Sequence, residues 1–367
     1  MAGLLADTEI GPADCQNGIR ALTLCPLPCA LRLDMRVTPA RITATSLLLI
    51  GVLAVVCLLA LTTGPAKLRP GAVLAELFGS PGALDAMERT ILMRVRLPRA
   101  LLGALVGGTL AVGGVVFQAL LRNPLAEPFV LGVMGGSAFG AILGILGGWA
   151  FFPGVTGIAF AGGILTIALV IGIAGGRTRI HTNTLLLSGV IVNAFFSAAI
   201  MFLLSATRNQ EIHNVLRWLM GDLSLSTFRE LAILAPLVLI GFTLIFAASR
   251  SLNLIVMGEE TAMHLGVQVE RVKKALLVLV SLVVSAAVAL SGIIGFVGLI
   301  IPHVLRLLVG SDHRLLLPAS FLFGAGFLVF CDTLARVATT QTELPVGVIT
   351  ALAGGPFFMY LLRRKRR

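Results

Sequence analysis

Charge is scarce in this 367-residue chain. Asp, Glu, Lys and Arg make up 12% of it while apolar residues make up 57%, where ordinary soluble domains carry about 25% charge. So few charges cannot keep a monomer of this size in solution, which excludes a cytosolic enzyme. So many apolar residues exclude a disordered chain. Catalytic spacings are missing too. His181, His213, His264, His303 and His313 form no metal-binding pair, and there is no Gly-x-Ser-x-Gly elbow, His-Glu-x-x-His pair or Walker A loop. The five cysteines make no framework: Cys15, Cys25 and Cys29 lie near the N-terminus, Cys57 and Cys331 inside apolar runs. Cys25 and Cys29 lack a second ligand pair at zinc spacing, so no metal site is expected. Within the apolar runs ionisable groups are nearly absent, Asp332 being the clearest exception. Proton-coupled carriers keep several such groups as relays. Any transport by this chain therefore draws its energy from another subunit.

What the chain has instead is length in its apolar runs and a mean hydropathy of +1.00. A bilayer core needs roughly 20 apolar residues per helix. Candidate spans lie near 44–61, 101–121, 129–150, 155–174, 185–205, 231–248, 315–331 and 346–362. The run between Ala275 and Val309 is roughly 52 Å as one helix, too long for one crossing, and Ser291-Gly292 is its natural break. The expected fold is an all-α integral membrane bundle with ten transmembrane helices per subunit. Short alternating segments of a β-barrel are absent. Glycine is abundant, with 41 residues, and recurs as Gly103-x3-Gly107 and Gly132-x3-Gly136, a spacing that lets helix backbones approach closely in lipid. Residues 1–43 read as a tail, either disordered or preceding a true start at Met35, with the transmembrane domain over 44–367.

The net charge of +11 belongs to the membrane rather than to nucleic acid, because the basic residues sit between runs and in the C-terminal Arg363-Arg364-Lys365-Arg366-Arg367. Placing both termini in the cytoplasm puts most of them inside, as the positive-inside rule requires. Among the outer minority, six crowd into residues 67–99: Lys67, Arg69, Arg89, Arg94, Arg96 and Arg99. Arg96-Leu97-Pro98-Arg99 stands where the second span starts. Cations at a helix N-terminus oppose its dipole, so carboxylates are expected to compensate them, a partner's being one source. Snorkelling arginines at a helix start are the plainer reading. At the inner end of that span, Pro124 and Pro128 break the helix beside polar Asn123 and Glu127, making a packed re-entrant turn or part of a pore lining. The inner loop 249–274 holds Met263 and Val267, four apart on one helical face, with Gly266 as a stop. This reads as a short amphipathic helix, either against a soluble partner or simply on the surface. Asp332 and Arg336 are four apart and form a local ion pair.

Taken in order, Arg96-Leu97-Pro98-Arg99, Asn123 to Pro128, Leu186 to Val190, Gly295 to Gly298, Pro302-His303, Asp312-His313-Arg314 and Glu343 to Gly347 form a specific series. It resembles the permeases of ABC importers for iron–siderophore complexes, haem and cobalamin, the FecCD type, over about residues 44–367. The resemblance implies a homodimeric permease in the bacterial inner membrane with the path on the dimer axis. It also implies two cytoplasmic ATPase subunits, which carry ATP and magnesium, and a periplasmic or lipid-anchored substrate-binding protein. The permease itself then has no catalytic residues and binds no cofactor. Arg96, Arg99 and Arg336 match positions that receive carboxylates of the binding protein. Asn123, Leu125, Thr182 and Asn183 match the cytoplasmic gate, Asn183 departing from the cobalamin-type pattern. Gly258, Glu259, Glu260, His264, Leu265 and Gly266 fall on the helix that couples to the ATPase. The cargo expected from this resemblance is a ferric siderophore, then cobalamin or haem, with molybdate less favoured; a passive channel or an intramembrane enzyme lacks the residues it would need.

Overall fold

The structure is a computed structural model that describes residues 38–79, 82–174, 182–207, 209–338 and 343–365. All of these belong to the compact unit Val37–Arg367. The tail before Thr38, with Met35, lies outside the described residues.

Among the described residues every regular element is helical. Helix α1 spans Pro39–Thr62, α2 Pro70–Phe78 and α3 Ala86–Thr90, which runs through a π-helical turn at Ile91–Arg96 into α4, Leu97–Leu120. Then follow α5 (Val133–Leu146), α6 (Thr156–Ala174), α7 (Thr182–Ser205), α8 (Asn209–Leu219) and α9 (Phe228–Ala247). The inner loop forms α10 (Ser249–Met257) and α11 (Glu259–His264), and the chain ends in α12 (Val269–Ser291), α13 (Val297–Val309), α14 (His313–Val337) and α15 (Val346–Lys365). Seven of these are long and apolar enough to cross a membrane, and α5, α13 and Val346–Tyr360 of α15 are shorter apolar helices. Helix α1 starts at Pro39, ahead of the expected 44, because Thr38 caps it (Oγ1 accepts from Arg41 N at 3.3 Å) and proline occupies the first turn.

Burial sorts the spans. Of the apolar stretch in Ala86–Leu120, 83% is buried inside the subunit, against 11% for α1. Helix α4 is therefore the central post and α1 a peripheral helix. Glycine sets how closely others approach it. A Cβ on Gly107 would collide with the Gly324 carbonyl of α14, and one on Gly114 with the Gly298 carbonyl of α13. The expected break falls at Gly292 (φ 69°), after which extended residues lead to the short α13. The apolar run at 129–150 forms a helix only over Val133–Leu146. The segment before it, held in by its two prolines, packs Pro128 against Gly113 and Gly298. Glu127 accepts a hydrogen bond from the Phe296 N–H, so two irregular segments supply each other's polar needs beside α4. That is the packed re-entrant turn among the two readings of this segment.

Overpacking a closely packed core typically costs about 1–3 kcal/mol. Gly107→Val should therefore lower the thermal unfolding temperature of the detergent-solubilised protein clearly. Gly71→Val, where an added Cβ meets nothing within 4 Å, should leave it unchanged.

Candidate functional site: two ends of the bundle

At the end of the bundle where α4 begins, three arginines converge. Arg99 Nε donates to both carboxylate oxygens of Asp332 at 3.0 Å, and its Nη2 lies 2.9 Å from Oδ1. Its Nη1 meets Glu343 Oε2 at 2.6 Å. Arg336 Nε lies 3.4 Å from Asp332 Oδ2, and its Nη2 donates to the Ala60 carbonyl at 2.8 Å. Arg96 donates to the Leu61 carbonyl at 2.7 Å and to the Ala66 carbonyl. Here the C-terminal end of α1, the start of α4, the end of α14 and the segment before α15 are joined through side chains. Arg96, Arg99 and Arg336 are each buried, as is Asp332, while Glu343 keeps 46% of its side chain exposed. The compensation expected for cations at the start of α4 is thus found inside the subunit, in Asp332 and Glu343. The local Asp332–Arg336 pair is present but is the looser of Asp332's two contacts with arginine.

At the opposite end, Asn123 and Leu125 sit in the turn after α4. Asn123 Oδ1 accepts from the Leu125 N–H at 3.0 Å, and Leu125 is exposed. Thr182 and Asn183 open α7, half-buried and exposed respectively. Helices α5 and α7 run side by side from this end, with Gly132 against Gly189 and Gly135 against Asn193. One turn inside, Gln118 Nε2 donates to the Gly298 carbonyl at 3.2 Å and its Oε1 accepts from Arg306.

The loop 249–274 is more ordered than its sequence suggests. Gly258 (φ 147°) separates α10 from α11, and Gly266 (φ 84°) ends the turn after α11, as expected of a stop. The helix itself closes at His264, so Val267 lies beyond it and turns to the core rather than sharing a face with Met263. Glu259 Oε1 accepts from the buried Lys273 of α12 at 2.7 Å. Asn253 on α10 donates to Asp312 Oδ1 at 2.8 Å, and its own Oδ1 accepts from the His313 N–H at 2.9 Å. The loop is so fixed to α12 and to the start of α14 while Met257, Met263 and Leu265 stay exposed alongside Glu260 and His264. His303, the histidine within a span, packs against Phe357 and Phe358 of α15.

Three contributors escaped the sequence reading. Asn253 and Lys273 bond across turns with no helical spacing, and Glu343 reaches Arg99 over a separation of 244 residues. Only ordered motifs in the chain mark the last of these positions.

Among the described residues the chain is an all-helical bundle in which seven helices are long and apolar enough to cross a membrane. The chain belongs to the FecCD transport family, whose pattern matches residues 52–364. It is 46% identical to the cobalamin import system permease of Halobacterium salinarum over 78% of this chain and 76% of that one. It is 40% identical to the hemin transport system permease of Yersinia pestis (77% and 85%) and 38% identical to an iron(3+)-hydroxamate import system permease of Bacillus subtilis (76% and 72%). An inward-facing structure of a metal-chelate type ABC transporter superposes with a TM-score of 0.77 at 32% identity, covering 89% of this chain and all of that one.

Removing one partner of a buried ion pair typically costs about 3–5 kcal/mol, because the other charge is left uncompensated. Arg99→Ala should therefore destabilise the purified protein by about that amount in a denaturation series, whereas Arg69→Ala, at an exposed position, should have little effect.

Proposed function

We propose that this chain is the permease subunit of an ABC importer that carries a metal chelate across the bacterial inner membrane. It works as a homodimer of ten-helix subunits with both termini in the cytoplasm, the three shorter apolar helices crossing together with the seven long ones. The cargo passes along the dimer axis. Two cytoplasmic ATPase subunits power the cycle, and a substrate-binding protein delivers the cargo from outside. The observation that carries this reading is the α10–α11 edge: a rigidly held patch of Met257, Met263 and Leu265 exposed at one end of the bundle suits the groove of a soluble partner.

The docking roles follow the two ends. Gly258 to Gly266 couple to the ATPase, Glu259 acting through its bond to Lys273. Asn123, Leu125, Thr182 and Asn183 form the cytoplasmic gate. Arg96, Arg99 and Arg336 shape the outer docking end.

A ferric siderophore is the proposed cargo. Cobalamin is the second reading, favoured by the 46% identity to a cobalamin permease, and haem follows. No fixed metal ligand is assigned to the path, so the metal crosses inside its chelator.

Replacing Met263 and Leu265 together with Asp should weaken binding of the ATPase subunits at least about tenfold, since each buried apolar side chain is worth roughly 1.5–3 kcal/mol. Thermal stability of the permease alone should hold, both side chains being exposed. The cargo is named by ATP-driven uptake in proteoliposomes containing the complete importer, with labelled ferric siderophore, cobalamin and haem in parallel. Accumulation of one, lost when the binding protein is omitted, is the expected result; ATP hydrolysis with no accumulation of any would overturn the metal-chelate assignment.

A further inference from the structure

A cavity of about 380 Å³ opens between α8 and the turn that links α5 to α6. Its volume falls in the range of small-ligand sites. Its walls have two characters. Ile145, Phe151 and Val155 are apolar, whereas Glu211, Asn214 and Arg217 come from α8. Positions 211, 214, 217 and 218 recur at helical spacing, so one face of α8 presents a carboxylate, an amide, a guanidinium and the Trp218 indole in sequence. Glu211 and Arg217 are separated by about 9 Å along the helix axis at 1.5 Å per residue.

The two charged groups are not equally engaged. Arg217 Nη2 bonds to Asp222 Oδ2 at 2.5 Å and to Ser224 Oγ at 3.1 Å, and a guanidinium has five N–H donors in all, so donors remain for a further anion. Glu211 is exposed and makes no hydrogen bond or ion pair among the described residues. Asp222 is fixed from behind, its N–H donating to the Ser291 carbonyl at 2.8 Å. Asp222 engages only one nitrogen of the Arg217 guanidinium, so the α8 face presents a carboxylate at one end and a partly engaged guanidinium at the other.

Depth identifies the source of a ligand. Ile145 lies in the last turn of α5, Ser291 ends α12 and Val155 precedes α6, so the cavity lies where three apolar helices end or begin. That is the headgroup level, where indoles concentrate, and Trp149 stands there with 57% of its surface exposed. Apolar walls below and separated charges of opposite sign above fit a zwitterionic amphiphile.

We propose that this cavity binds the phosphoethanolamine headgroup of a membrane lipid. Its ammonium donates to the Glu211 carboxylate, its phosphate accepts from the spare N–H groups of Arg217, and Asn214 stands between them. The site is separate from the docking and gate residues assigned above, so its failure leaves the importer reading untouched.

Trp149 and Trp218 are the only tryptophans in the chain and both line this cavity, so intrinsic fluorescence reports on it directly. The full-length protein is reconstituted in phosphatidylcholine nanodiscs with increasing phosphatidylethanolamine. Emission should shift saturably, and in Trp149→Phe the Trp218 signal should still respond. Glu211→Gln, at an exposed position, should raise the half-saturating fraction about tenfold, the worth of a hydrogen bond to a charged group. Phosphatidylglycerol should give no such shift. In detergent, a response to soluble O-phosphoethanolamine without a response to the lipid would keep the headgroup chemistry and overturn the membrane source. An emission indifferent to phosphatidylethanolamine, an equal response to phosphatidylglycerol, or an unaltered titration in Glu211→Gln would each overturn the proposal.

Discussion

Apolar contact between helices stabilises a membrane bundle little, because lipid offers each helix the same contact. What lipid cannot offer is backbone approach. The descent of α14 onto Gly107 and of α13 onto Gly114 is the constraint on which the other positions depend. Once those backbones touch, α4 has no room for lipid and becomes the buried post. The irregular segments before α5 and α13 are then held beside it, where Glu127 and Phe296 satisfy one another. Nonhelical backbone at membrane depth is tolerated only with such partners.

Much of this was legible in the chain. Long apolar runs located the seven helices that are long and apolar enough to cross a membrane. The break near Ser291-Gly292 followed from an upper limit on length. Elsewhere the limits are physical. Hydropathy could not separate the 14-residue α5 from the apolar but nonhelical residues before it, because Phe129, Val130 and Leu131 are as apolar as the helix. Helix α8 is amphipathic and short, so no span rule finds it. The apparent Met263–Val267 face dissolved because Gly266 ends the turn one residue before Val267.

The charged cluster shows a different limit. The sequence places Arg96 and Arg99 at a helix start and demands carboxylates for them; Arg99 finds two, whereas Arg96 is satisfied by the backbone carbonyls of Leu61 and Ala66. Which carboxylates answer it depends on residues more than two hundred positions away. Asp332 and Glu343 meet Arg99 only because α14 lies along α4. Burial makes this a cluster that holds its own subunit together, with Glu343 as its half-exposed member.

Helix α14 is bonded at both extremities, to Asn253 through Asp312 and His313 and to Arg99 through Asp332. Its residue count is consequently a fixed dimension. Each residue advances an α-helix by about 100°, so deleting one between Ser320 and Val329 would swing Asp332 away from Arg99 while the Asn253 end stayed in place. Apolar substitutions along that stretch leave this phase intact, but insertions and deletions meet a phase requirement set at both ends of the helix at once.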